Sequence, residues 1–162
     1  MNYLGMNRND VSKTVSQLNL LLANYHVYYQ NLRNFHWNVN GENFFDLHDK
    51  FEALYDDARA KIDEIAERVL TLRLRPLSKM SDYLNTASIS EADGFSNDYE
   101  MVDTILGNHQ ILIENMRSVI RAAEKVEDEG TIDMIGGFLS NLEKKSWMLD
   151  AWRVRKEEPA MA

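Results

Sequence analysis

The sequence predicts an all-α protein, four long helices in a bundle, with a long crossover between the second and third that carries a short helix. Three observations predict it. Only two prolines and seven glycines occur in 162 residues, so little interrupts helical hydrogen bonding. Aliphatic and aromatic residues recur at spacings of three and four, the period of an amphipathic helix. Residues 73–95 lack that period, whereas antiparallel neighbours in a bundle need only about 2 to 8 linking residues. A link of this length can travel the bundle and start the third helix parallel to the second.

The first helix starts near residue 11, with a seam at Val11, Val15, Leu18, Leu22, Tyr25, Tyr29 and Leu32. His36 is the next step of that seam, and Asn40-Gly41 supplies the residues of a helix end and tight turn. The second helix, about residues 43–72, carries Leu47, Phe51, Leu54, Ala58, Ile62, Ile65, Val69 and Leu72 on one stripe. Its short link to the first makes the two an antiparallel hairpin. The crossover holds Pro76, several serines and one brief amphipathic piece at residues 82–87. A third helix, about residues 96–126, shows Val102, Leu106, His109, Ile113, Met116, Ile120 and Ala123. After the acidic turn EDEG, Thr131 is the expected N-cap of a fourth helix through Ile135, Leu139, Leu142, Leu149 and Trp152. The tail RVRKEEPAMA is expected to fray.

At this length one domain spanning residues 1–162 is expected. The absence of cysteine excludes disulfides, zinc-thiolate sites and iron-sulfur clusters. A formal net charge of -8 opposes general affinity for phosphate backbones and favours cations at concave acidic surfaces. The stretch MNYLGMNRNDVSKTV lacks the basic start and apolar run of a signal peptide, and no window approaches the roughly 20 apolar residues of a membrane span. A cytoplasmic protein without a membrane partner is expected.

One stretch carries metal-type ligands: His36, His48, Glu52, Asp63 and Glu67, within FHWNVNGENFFDLHDKFEALYDDARAKIDEIAERVL. Imidazole with carboxylate suits iron, manganese or zinc. His48 and Glu52 are an i, i+4 pair, as are Asp63 and Glu67, so each pair can address one ion. At about 100° per residue the four fall roughly 80 to 180° from the core stripe of their helix. Phe45, Leu70 and Leu74 share that sector, and apolar residues on a second face suggest a protein contact. His48 and Asp63 are separated by about 22 Å of helix rise and cannot share an ion within one chain. A second copy packed antiparallel across a two-fold axis would bring the His48 end against the Asp63 end, forming two equivalent sites, with His36 joining the His48 end. The Glu-x-x-His pattern of an intra-bundle di-iron site is absent, since Ala23, Arg33, Phe45 and Leu106 stand three before the histidines. Residue chemistry alone leaves metal binding level with a polar interface face.

HWNVNG, then FFDLHDKFEALY, then DEIAERVL is similar in type and spacing to the signature of the Dps family, the mini-ferritins, and the four-helix plan extends the resemblance over nearly the whole chain. It implies a ferritin-like bundle and a ferroxidase site between two-fold-related subunits, with His36, His48 and Glu52 from one and Asp63 and Glu67 from the other. Glu52 stands where many members have aspartate. Trp37 resembles the family's tryptophan near the site, where it could intercept radicals; the plain alternative is an anchor at the helix end. The resemblance further implies a dodecameric hollow shell that oxidises Fe(II), usually with hydrogen peroxide, and stores ferric mineral. His36 and His48 bind metal only when neutral, so activity is expected to fall on acidification. Glu124, Glu129 and Asp133 resemble acidic positions lining iron-inlet pores at three-fold axes.

Several residues carry plainer readings. His109 lies on a core step and reads as a hydrogen-bonded core histidine. His26 has no acidic partner nearby and is assigned no role. Tyr25, Tyr28 and Tyr29 read as core or interface. DNA binding, which gives the family its name, is not expected: the N-terminus offers only Arg8 and Lys13, and Arg153, Arg155 and Lys156 are offset by Glu157 and Glu158. The competing class is a non-catalytic helical scaffold whose acidic face happens to carry histidines.

Overall fold

A computed structural model describes residues 2–93 and 96–154. Five helices follow in order: α1 (Arg8–Asn38), α2 (Phe44–Thr71), α3 (Met80–Thr86), α4 (Asp98–Glu124) and α5 (Glu129–Arg153). Among the described residues there is no strand, and no helix is long and apolar enough to cross a membrane. Residues 155–162 of the tail RVRKEEPAMA lie outside the described residues.

Side-chain pairs fix the helix directions. Tyr29 meets Tyr55, and Phe35 meets Phe51, so partners on α1 and α2 run in opposite senses. Asn24 bonds Asn115 while Asn31 bonds Asn108, which sets α4 antiparallel to α1 as well. α2 and α4 are therefore parallel, and the crossover expected from residues 73–95 is present. α5 then returns along α4, with His109 on Ser146 and Arg117 on Glu143.

The crossover is mostly irregular, and its buried backbone groups need partners. α1 supplies them from a row of asparagines. Asn19 Oδ1 accepts from Leu77 N at 2.9 Å. Asn24 Oδ1 accepts from Ser88 N and Ile89 N at 2.7 and 3.1 Å. Asn31 Oδ1 accepts from Ala92 N at 2.9 Å, and its amide donates to Ser90 O and Asn108 Oδ1, both at 3.0 Å. Asn34 donates to Ala92 O at 2.8 Å. The short α3 is tied by His26, whose ring stacks on Tyr83 at 3.8 Å, while the Tyr83 hydroxyl donates to Leu77 O. Burial holds the pKa of His26 below its ordinary value.

Three stripes differ from the expected ones. On α4 the buried set runs through Ile105, Leu112 and Val119, leaving Leu106, Ile113 and Ile120 half-buried. Val102, His109, Met116 and Ala123 belong to both stripes, and contacts with α1 and α5 select between them. On α2 the buried position is Lys61, and Ile62 lies at the flank. α1 is buried without interruption from Leu21 to Tyr25, because α2, α3 and α4 all pack on it. Tyr29 is only half-buried. The N-cap of α5 is Asp128 rather than Thr131: its carboxylate accepts from Thr131 N at 3.1 Å and Thr131 Oγ1 at 2.5 Å. A fully buried carboxylate at this end caps the helix and suits its positive pole. The N-cap of α4, Asn97, forms a full capping box with Glu100.

His109 is the hydrogen-bonded core histidine the sequence indicated. Ser146 donates to Leu142 O, so His109 Nδ1 must donate to Ser146 Oγ, and Nε2 accepts from the Tyr28 hydroxyl, each at 2.8 Å. Burial, with Lys145 and Lys61 adding to it, pulls its pKa down to about 3.

Two predictions follow from these bonds. Asn31→Ala orphans Ala92 N–H and one face of Asn108, and should lower unfolding free energy in urea by about 3 kcal/mol; the exposed Asn9→Ala should change it by less than about 0.5 kcal/mol. His109 stays neutral when folded, whereas the unfolded chain takes up that proton below its ordinary value of 6.5. Stability from His109 is therefore present above that pH and lost as pH falls toward 3, amounting to a few kcal/mol. In urea titrations at about pH 7 and about pH 5, His109→Gln should lose less stability on acidification than the parent; equal losses would refute the linkage.

Candidate metal centre

The last turn of α1 and the first turns of α2 face each other across the short linker 39–43. Gly41 adopts φ 95°, and Phe44 N donates to Gly41 O at 3.2 Å, which closes the reversal. His36 and His48 are thereby stacked, ring centroids 3.8 Å apart. Each bonds the other's main chain: His36 Nδ1 to His48 O and His48 Nδ1 to His36 O, both at 2.8 Å. A carbonyl oxygen only accepts, so both rings carry their proton on Nδ1 when neutral, and both Nε2 lone pairs remain for a ligand. This is the orienting second contact that metal-binding histidines use. Phe44 lies on His48 at 4.9 Å, and the Tyr55 ring edge meets His36 at 5.2 Å.

Glu52, one turn beyond His48, is exposed. Asp63 and Glu67 are exposed farther along α2. Among the described residues of one chain, no three His, Asp or Glu side chains converge where they could hold a metal ion. The chain thus presents the stacked histidine pair, Glu52 one helical turn on from His48, and the carboxylates Asp63 and Glu67 farther along α2. Phe45 and Leu70 bracket them and are 78% and 54% exposed. Leu74 is half-buried. Trp37 is also exposed, its ring 4.9 Å from the Arg33 guanidinium, so it does not anchor the helix end in the core.

Glu124, Glu129 and Asp133 are all exposed around the turn between α4 and α5. An ion pair beneath holds that turn: Arg68 Nη2 to Asp128 Oδ1 at 2.6 Å, with Arg68 Nε donating to Thr131 Oγ1 at 2.9 Å. Gly130 makes room for it, since a Cβ there would lie 2.8 Å from Arg68 Nη2.

The ferritin-like domain family matches residues 15–156. A DNA protection during starvation protein from Brevibacillus brevis is 43% identical over 135 residues, covering 83% of this chain and 91% of that protein. One from Porphyromonas gingivalis is 39% identical over 151 residues, 93% and 95% of the two chains. The crystal structure of the Dps protein from Vibrio cholerae O1, described as a member of a broad superfamily of ferritin-like diiron-carboxylate proteins, superposes with a TM-score of 0.91. That similarity comes at 39% identity over 94% of this chain and 96% of that one. The chain belongs to the Dps family of ferritin-like proteins.

In this Dps protein the interior between α2 and α5 carries a cluster the sequence did not disclose. Lys61 is buried and donates to Asp57 Oδ2 at 2.6 Å and Asn141 Oδ1 at 2.9 Å, while Lys145 reaches the same Asp57 oxygen at 2.8 Å. Burial lowers the Lys61 pKa; for Asp57, burial pushes upward, but the bonds from Lys145 and Lys61 outweigh it and hold the carboxyl low. Asp57 and Lys61 are an i, i+4 charge pair, the only signal in the sequence, and such pairs are usually solvated.

Glu129 and Asp133 stand clear of the Arg68 ion pair, so their roles separate from that of the turn's scaffold. On the reading that they line an iron inlet, neutralising both, as Glu129→Gln with Asp133→Asn, should slow iron uptake several-fold; an unaltered uptake rate would remove them from an inlet.

Proposed function

We propose that this protein is a ferroxidase and iron store, oxidising Fe(II) at sites completed by two chains and keeping the ferric product within a hollow shell. The observation that carries the reading is the His36–His48 pair, whose reciprocal backbone bonds leave two Nε2 lone pairs, with Glu52 one helical turn beyond His48. That donor set of imidazole and carboxylate suits iron. By helix rise along α2, Asp63 lies about 22 Å and Glu67 about 28 Å from His48, so both need a partner chain to join it. The exposed Phe45 and Leu70 supply apolar surface for that contact.

Hydrogen peroxide is the proposed oxidant. Two Fe(II) ions give up one electron each; one peroxide takes both electrons with two protons and leaves as two waters, so no hydroxyl radical is released. The protein's part is to hold the two ions together with neutral imidazoles and carboxylates, which favour the ferric product. Trp37, exposed one residue beyond His36, is proposed to intercept stray oxidising equivalents. Relatives named for DNA protection during starvation fit this protective role.

The assembly proposed is a dodecamer built from two-fold dimers of a single-domain chain, working in the cytoplasm. Glu124, Glu129 and Asp133 would line its iron inlets. A net charge of -8 gives no electrostatic support for binding DNA.

Stopped-flow oxidation of Fe(II) by peroxide tests the reading. The His36→Ala, His48→Ala double variant should lose at least about tenfold in rate, the size of loss when groups that bind and orient a metal are removed. A rate equal to the parent's would place the chemistry elsewhere.

A further inference from the structure

The linker that closes the histidine pair contains Asn40-Gly41, the only asparagine in the sequence followed by glycine. Both residues are exposed. No atom outside Gly41 and its two chain neighbours lies within 4 Å of where a Cβ on Gly41 would stand. Neither the Asn40 amide nor the Gly41 N–H has a hydrogen-bond partner among the described residues. The contrast with α1 is complete: Asn19, Asn24 and Asn31 use both ends of their amides and precede Leu20, Tyr25 and Leu32 within a helix.

We infer that Asn40 is a self-modifying site, which deamidates in the folded protein without an enzyme. The unshielded Gly41 nitrogen attacks Asn40 Cγ; the new N–C bond closes a five-membered imide, the Cγ–Nδ2 bond breaks, and ammonia leaves. Water then opens the ring at either carbonyl. Opening at the main-chain carbonyl yields isoaspartate, and opening at Cγ yields aspartate. One water is consumed, one ammonia released, and nothing is oxidised. Either product adds a negative charge to the linker between His36 and His48. Isoaspartate also routes the main chain through Cβ and Cγ, adding one atom to the linker whose length brings the two rings into register.

The inference is independent of the proposed function, because it rests on the linker alone. The full-length protein is aged under warm, mildly alkaline conditions and its peptides are weighed. The expected result is a gain of about one dalton on the Asn40 peptide, with isoaspartate labelled by an isoaspartyl methyltransferase, at a rate comparable to that of the same chain unfolded in urea. Asn40→Gln should abolish both signals. An Asn40 that keeps its amide in the folded protein, whether or not the unfolded chain converts, overturns the assignment.

Discussion

A crossover that runs along a bundle without regular secondary structure exposes its main-chain groups to an apolar surface, and each unpaired group would cost about 1 to 3 kcal/mol. The structure depends on meeting that demand. Asn19, Asn24, Asn31 and Asn34 of α1 do so, bonding main-chain groups from Arg75 to Ala92. Asn24 and Asn31 then use their remaining donors on Asn115 and Asn108, so the same two side chains set the register of α4 on α1. Parallel α2 and α4 follow from that tie. α1 becomes the central element, buried on several sides, and its C-terminal turn is held firmly enough to present His36.

The hairpin of α1 and α2 converts this scaffold into chemistry. A linker of five residues cannot let the two helix ends drift apart, and the reciprocal bonds of His36 and His48 fix ring orientation as well as proton position. The straight rise of α2 has the opposite effect on the remaining proposed ligands. It carries Asp63 about 22 Å and Glu67 about 28 Å from His48, so in the proposed site rigidity within the chain is what makes a partner necessary. The apolar Phe45 and Leu70 occupy the same face, so in the proposed dimer one surface serves for both assembly and catalysis.

Much of this was legible in the sequence, for physical reasons that can be named. Four periodic segments and one aperiodic link are a property of spacing, and they gave the four long helices and the crossover with ends displaced by only a few residues. His109 was legible because it occupied a core step. What escaped was three-dimensional selection between near-equivalent faces. Ile105 and Leu106 both complete a stripe with Val102 and His109, and only the packed neighbours choose Ile105. Lys61 displaced Ile62 from the core because Asp57 on its own helix, with Asn141 and the Phe138 ring on α5, offered its ammonium partners. Asp128 outcompeted Thr131 as a cap because Arg68, 60 positions away, neutralises it. The asparagine row was invisible because periodicity counts apolar residues and passes over amides.

Each proposed oxidising site takes His36, His48 and Glu52 from one chain and Asp63 and Glu67 from another. Mixing tests it most directly. Two variants, His36→Ala with His48→Ala and Asp63→Ala with Glu67→Ala, are each assembled alone and then unfolded together and reassembled in equal amounts. Shared sites predict two inactive parents and a mixture that recovers about a quarter of the parental rate of Fe(II) oxidation, because half of the random dimers are mixed and each holds one intact site of two. A mixture as inactive as its parents, with co-assembly verified by mass, would contradict the account.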